Sequence, residues 1–523
     1  MTVALSETWT VTKPSVTSDG GLVASQHHEA SEIGAAVLAA GGNAVDAAVA
    51  TGMAIGVAEP WMSGLGGCGY MVFHDAETRQ THAVDFGTVA PKALDQATYP
   101  LEASQDVDAD LFGWPRVVED RNVQGPHSIG VPSLVAGHAL ALEKFGTLAW
   151  SDVLGPAIKL AERGMKIDWY ATLRIALEAP GLATYPASRD FFLPGGLPAL
   201  SLDAANLQTR RNDALVQTLK RLAEAGPRDF YEGDIAAAIA KDMAAMGGSL
   251  AAGDLAAYRA AAGAASHGGY RDVTVHVPAG LNAGPTLLDS FARLEAHWKP
   301  GTAPDAETYL AYADSMTAAY ERRFASLGDA DKAAESCTTH LTAIDRKGNI
   351  CALTQTLLSV FGSRVMLPGT GILMNNGIMW FDPRPGSPNS LGPGKRPLSN
   401  MVPTVVTGAD GKGLLGLGAS GGRRIMASVL QLISFVTDFG MTLERAFHTP
   451  RIDVSGEAAM TVDSRLDPAI RRALAGRYKI EELPYGVTPA LYACPNAVRN
   501  DGRGHHEGAA FIMSPWAKVA AGG

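Results

Sequence analysis

Cysteine is scarce: 4 residues in 523, at positions 68, 337, 351 and 494, with no C-x-x-C pair. That spacing finds no support for a disulfide framework or a zinc site. No Lys/Arg run exceeds two residues, and 43 basic residues face 53 acidic ones for a net charge of −10. The electrostatic footprint of a nucleic-acid or anionic-membrane binder is therefore missing. No stretch of roughly 18 uninterrupted apolar residues exists to cross a bilayer as a helix. The opening, Met1-Thr2-Val3-Ala4-Leu5-Ser6, has neither the basic start nor the apolar run of a signal peptide, so a cytoplasmic location is expected. What is abundant is apolar residue and glycine: 46% hydrophobic content and 58 glycines describe a globular chain with a large core and many tight turns.

Apolar periodicity predicts a helix over 29–56, broken at Gly41-Gly42, with Asn43 or Asp46 capping its second half. Strands are expected at 70–73 and 81–85 across a turn at 75–79. Residues 134–262 read as mostly helical, interrupted by a Pro/Gly-rich loop at 180–198. An alternating strand follows at 270–277, then a helix pair at 303–326 and a polar connector at 329–337. Further strands are expected at 401–406 and 414–417, and a helix at 423–439, while residues 1–20 read as a loose arm.

The segment Cys337-Thr338-Thr339-His340 opens a hairpin: a strand-like run to Asp345, a polar turn at 346–349, and a return run from Ile350 to Thr356. Two threonines at β-favourable positions need no special role. They become chemistry if the 337–338 peptide bond is cut. Thr338 then carries a free α-amine beside its own hydroxyl. An α-amine has a pKa of about 8, and an adjacent N-terminal amine is a recognised activator of a threonine nucleophile.

Two glycine motifs invite other readings. Gly64-Leu65-Gly66-Gly67-Cys68-Gly69 matches G-x-G-x-x-G, but a dinucleotide site needs a strand before it and a helix after it, and here that order is inverted. Gly418-Ala419-Ser420-Gly421-Gly422 matches the G-x-S-x-G nucleophile elbow, with Asp438 and His448 as candidate triad partners for Ser420. The same turn, placed at a helix N-terminus, also suits backbone N–H donors for an oxyanion. The pairs His27-His28 and His505-His506 read as solvated, since adjacent side chains on a strand face opposite ways and chelate poorly.

Thr338-Thr339-His340-Leu341, Asp345 to Asn349, Thr354-Gln355-Thr356 and Phe361-Gly362-Ser363 resemble the start of the small subunit in the γ-glutamyltranspeptidase family. The likeness continues through Gly371 to Asn376, Lys395 to Met401 and Gly418 to Arg424. In the first half it covers Gly41 to Ala48, Ser63 to Gly69, Val131 to Gly137 and Pro156 to Glu162, in the family's order. The resemblance implies an α+β fold, the four-layer αββα sandwich of N-terminal-nucleophile hydrolases. It implies a proenzyme cut between Cys337 and Thr338 into a large subunit (1–337) and a small one (338–523) that stay together. It further implies Thr338 as nucleophile, Thr356 as its hydrogen-bonding partner, Gly421 and Gly422 as oxyanion donors, and Ser399 and Asn400 as substrate contacts. His340 would be structural, and no metal or organic cofactor is expected.

The chain departs from the family where a γ-glutamyl head is gripped. An arginine expected after Asp85-Phe86 is Gly87, and the polar residues expected at the next three places are Leu358, Gly377 and Trp380. Losing such partners costs several kcal/mol, about 1–3 per buried charged contact. Arg364, Arg423 and Arg424 are candidate replacements. Three readings stay open: glutathione-type hydrolysis or transpeptidation; a family amidase for a non-glutamyl acyl group, cephalosporin-acylase-like; and an uncleaved, non-catalytic homologue. The partners implied are a small amide substrate and water or an amine acceptor.

Overall fold

Two seven-stranded antiparallel sheets carry the molecule in the computed structural model, which describes residues 10–103, 114–327, 337–455, 459–488 and 490–523. The first sheet runs Lys518–Ala521, Gly21–Ser25, Cys337–Asp345, Ile350–Leu358, Cys68–Asp75, Gln80–Phe86, Ala261–Ala264. The second runs Val16–Ser18, His506–Ala510, Cys494–Asn500, Gly413–Ser420, Thr404–Gly408, Val273–Val277, Ser266–Tyr270. In both, strands from before and after residue 337 are interleaved.

Alternation along the strands decides what lies on each face. Val23, Met71, Leu341 and Leu353 pack outward against the helices His28–Ala39, Ala44–Ala58, Leu134–Phe145 and Trp150–Arg163. Their neighbours Leu22, Val72, Ile344 and Ala352 belong to a core shared with Leu415, Leu417 and Val498 of the second sheet. That core extends to Phe291, Tyr312 and Leu430 of the helices Gly284–His297, Ala306–Leu327 and Arg424–Thr437. The sheets meet closely because Gly416 and Gly418 have no side chains. A Cβ on Gly416 would lie 2.4 Å from Ile350 Cγ2, and one on Gly418 would lie 2.4 Å from His340 Cε1.

Asn43 caps the Ala44–Ala58 helix, its side chain accepting from Val45 and Asp46 N–H while Asp46 returns a bond to the Asn43 N–H. Several expectations are corrected. The single strand at 270–277 is two strands, Ser266–Tyr270 and Val273–Val277, turned at Arg271 with φ +54°. The helix pair at 303–326 is one helix of 22 residues, Ala306–Leu327, whose partner is Gly284–His297. The loop at 180–198 contains short helices Ala179–Thr184 and Pro186–Phe192, because their prolines sit in the first turn, where no N–H is needed. The strand expected at 401–406 lies at Thr404–Gly408. Within the arm, 16–18 pairs with His506–Gly508 as an edge strand, while 1–9 lies outside the described residues, as does all of the 329–337 connector except Cys337. Among the described residues no helix is long and apolar enough to cross a membrane.

Candidate active site

The hairpin forms as Cys337–Asp345 and Ile350–Leu358, with the turn held by Asp345, whose Oδ1 accepts from Lys347 and Asn349 N–H at 2.9 and 3.1 Å. Pairing is regular from Thr339↔Gln355 to Ile344↔Ile350, then shifts so that Cys337 opposes Leu358. This irregularity leaves Thr338 at the strand mouth, 2% exposed, with its Oγ1 3.4 Å from Thr356 Oγ1. Thr356 Oγ1 also accepts the Leu358 N–H at 2.7 Å, and Leu358 takes φ +88°, rare for a leucine. The strand end is thereby bent around the two hydroxyls.

The inter-sheet register aligns the strand Cys337–Asp345 with the strand that leads into the glycine turn. Thr342 lies over Gly416 and His340 over Gly418, from their close Cβ approaches. Beyond His340 the strand is tied to the turn through Gln26, whose Oε1 accepts from Thr339 Oγ1 at 3.3 Å and whose Nε2 donates to Ser420 Oγ, just before Gly421. Gly421 and Gly422 take φ +134° and +62°, conformations open to glycine, and their carbonyls accept from Arg424 and Ile425 N–H as the Arg424–Thr437 helix begins. His340 is fully buried between Thr354 Oγ1 (2.8 Å) and Thr342 Oγ1 (2.9 Å), and Asn496 Nδ2 donates to its carbonyl at 2.6 Å. Burial pushes its pKa down to about 3, so the ring is neutral.

The G-x-S-x-G elbow forms no triad. Gln26 Nε2 donates to Ser420 Oγ, Asp438 is bonded by Tyr270 Oη and Arg271, and His448 Nδ1 pairs with the Glu444 carbonyl. The G-x-G-x-x-G segment follows a helix and leads into the strand Cys68–Asp75, so no dinucleotide turn exists there.

Thr356 is paired with Cys68, so both side chains share Thr338's face of the sheet. Around them lies one apolar cluster: Cys68, Tyr70, Trp114, Leu358, Met379, Trp380 and Met401. Beside it Arg396 pairs with Asp85 at 2.7 Å, Asp85 being opposite Tyr70. The positions that departed from the family pattern have little room. A Cβ on Gly87 would lie 2.7 Å from Tyr70 Oη, and one on Gly377 would lie 2.7 Å from Thr88 Cγ2 and 3.0 Å from Asn375 Oδ1. Asn375 and Asn376 are occupied in bracing loops, accepting from Gly130, Gly377 and Ser359 N–H. Ser399 and Asn400 are drawn to the cluster's edge by buried Arg323, which donates to Ser399 O (2.7 Å) and Asn400 Oδ1 (3.2 Å).

Of the arginines considered as carboxylate partners, Arg364 is bonded to Glu178 at 2.8 Å, and Arg423 and Arg424 are buried near Asp453 at the helix start. Two histidine expectations are corrected: His27 is 6% exposed and caps a helix with its ring stacked on His28, and His506 is 2% exposed while His505 is solvated. Gln26 and Asn496 escaped sequence reasoning, since neither lies in a recognisable motif. Among the described residues no cluster of three or more His, Cys, Asp or Glu is placed to hold a metal ion.

The γ-glutamyltranspeptidase family model matches residues 30–336 and 331–504. The chain belongs to that family. It is 31% identical over 487 residues to the glutathione hydrolase proenzyme of Bacillus subtilis strain 168, covering 83% of this chain and 80% of that one. It is 33% identical over 515 residues to the acylase ACY 1 proenzyme of Pseudomonas sp. strain SE83, covering 91% and 90%. The crystal structure of a cephalosporin acylase from Bacillus halodurans superposes with a TM-score of 0.84 over 100% of this chain and 99% of that one, at 23% identity, a likeness of fold. The γ-glutamyltranspeptidase family is an enzyme family of hydrolases and transferases, and its relatives here are made as proenzymes.

Proposed function

We propose that this chain is an N-terminal threonine amide hydrolase or acyltransferase that cuts itself between Cys337 and Thr338 and prefers an acyl group lacking the zwitterionic glutamyl head. In this reading the stacked sheets and their flanking helices are the αββα sandwich of N-terminal-nucleophile hydrolases, and 1–337 and 338–523 are its subunits. Maturation begins when Thr338 Oγ1 attacks the Cys337 carbonyl carbon. The peptide C–N bond breaks, the acyl group passes to oxygen, and the α-amine of Thr338 takes the proton. Water then hydrolyses the ester, leaving a carboxylate on Cys337 and a free Thr338 N-terminus.

In turnover the α-amine takes the hydroxyl proton as Thr338 Oγ1 attacks the substrate amide. Thr356 Oγ1, 3.4 Å away, positions the hydroxyl. The Gly421 and Gly422 N–H groups hold the oxyanion, a contribution of about 2.7–4 kcal/mol per donor in comparable sites. Collapse expels the amine with the proton held by the α-amine. Water or an acceptor amine then releases the acyl group by the reverse steps.

The acyl preference is carried by one observation: Leu358 and Trp380, at places where the family resemblance calls for polar head-group partners, are packed with Met379 and Met401 in one buried apolar cluster. Gly87 and Gly377 are closed to larger side chains. Purified protein is tested by intact mass, N-terminal sequencing and a panel of γ-glutamyl, glutaryl and simple aliphatic acyl anilides. Two fragments with Thr338-Thr339-His340 at one N-terminus, and faster release from acyl groups without the α-amino group, are expected. A single uncleaved chain without turnover would sink the enzyme reading, and exclusive turnover of the γ-glutamyl anilide would sink the acyl preference.

A further inference from the structure

The side chain of Gln26 touches the nucleophile strand, the glycine turn and a third strand at once. It follows the strand Gly21–Ser25, is 4% exposed, and stands at the mouth between the sheets. Its Oε1 accepts from Thr339 Oγ1 at 3.3 Å. Its Nε2 donates to Ser420 Oγ and, at 3.2 Å, to the Cys494 carbonyl. Thr339 is the residue after the proposed nucleophile, and Ser420 is the residue before the proposed oxyanion pair. Cys494 follows Ala493, whose Cα lies 3.0 Å from where a Gly421 Cβ would be. One planar carboxamide therefore links the attacking strand to the turn that holds the developing charge.

We infer that Gln26 is a positioning residue that fixes the distance between the Thr338 hydroxyl and the Gly421–Gly422 donors. This rests on the function proposed above. The hydrogen-bond pattern also gives Ser420 a use: its hydroxyl is the handle by which the turn is held. An amide is required because the site needs an acceptor toward Thr339 and a donor toward Ser420 and the Cys494 carbonyl. Leucine matches its size but supplies neither. A carboxylate accepts from both hydroxyls but leaves the carbonyl without a donor, until protonation restores one.

The test compares wild type, Gln26→Leu and Gln26→Glu on the best anilide of the panel, with melting temperature recorded for each. For Gln26→Leu, kcat is expected to fall on the order of tenfold to a hundredfold, as misplaced reacting groups do, with KM within about twofold. Inhibition by a boronic acid that mimics the tetrahedral intermediate should weaken in parallel with kcat. For Gln26→Glu, the ratio of its kcat to wild type should climb as pH falls through the carboxyl range, a signature that a purely architectural glutamine would not give. If Gln26→Leu does not fold, the Gln26→Glu ratio decides alone. A folded Gln26→Leu with unchanged kcat, or a pH-independent Gln26→Glu ratio, overturns the inference and leaves the proposed function standing. A wild type that neither cleaves itself nor turns over removes both together.

Discussion

Replacing Gly418 by alanine tests how tightly the two sheets are joined beneath the proposed nucleophile. The added Cβ would lie 2.4 Å from His340 Cε1, 2.6 Å from Nδ1 and 2.8 Å from Nε2, with no flexible chain end to yield. Overpacking of a filled core costs about 1–3 kcal/mol. Moving the ring also stretches its bonds to Thr354 and Thr342, at 2.8 and 2.9 Å, each contributing about 0.5–1.5 kcal/mol. Against this, alanine recovers roughly 0.5–1 kcal/mol by stiffening the unfolded chain. The net expectation is a loss of about 2–4 kcal/mol by the same principles. Gly269→Ala is the control, another strand glycine but with nothing within 4 Å of the added atom, and it should change stability by no more than about 0.5 kcal/mol. Urea unfolding followed by tryptophan fluorescence reads both variants against wild type. Because His340 is two residues from Thr338, fragment formation should slow in Gly418→Ala alone. Equal midpoints for the two variants would refute the close sheet contact at this level.

Other outcomes are expected. Thr338→Ala should remain one chain by intact mass and show no turnover, yet melt within a few degrees of the wild-type precursor, since the hydroxyl it loses makes a long 3.4 Å bond to Thr356; turnover by that variant would dismiss Thr338 as nucleophile. Gly87→Arg should not create γ-glutamyl activity and should lower stability, because its Cβ meets Tyr70 Oη at 2.7 Å; γ-glutamyl anilide release by the variant would contradict this. Burial pushes the Glu59 carboxyl up from 4.5 to about 8, so the folded protein keeps a proton that the unfolded chain releases between those values. Stability should therefore fall as pH rises through that window and level off above it, and Glu59→Gln should flatten the dependence; identical pH slopes of urea midpoints in the two proteins would rule the effect out.

The hairpin was legible because its turn residues and β-favouring runs agree, and the structure extends it by only a few residues. The helix break at Gly41-Gly42 and its Asn43 cap were legible for the same local reason. Failures came where distant chain decides. Arg271 turns at φ +54° although neither of the central turn residues, Arg271 and Asp272, is glycine or proline, and the nearby Gly268-Gly269 lies inside the strand instead. His27 looked solvated beside His28, but Trp516, from the far end of the chain, packs 5.2 Å from its ring. At the candidate site, motifs pointed to Thr338, Thr356 and the glycine pair, whereas Gln26 gains its place only through strands that meet in three dimensions. Leu358 and Trp380 were noticed as substitutions, but their union with Cys68, Tyr70, Trp114, Met379 and Met401 in one cluster needed the fold.

The first sheet weaves the halves of the chain together: Cys337–Asp345 lies beside Gly21–Ser25, which in turn is flanked outside by Lys518–Ala521, while Ile350–Leu358 is followed by Cys68–Asp75. The scission proposed at residue 337 would therefore open a seam in a fabric whose threads run both ways. Neither piece can be withdrawn without unpicking rows of hydrogen bonds, so the nicked molecule should migrate in gel filtration as the parent does. Each piece made alone would carry bare sheet borders and invite clumping, which gives such a protein a reason to be synthesised whole and divided afterwards.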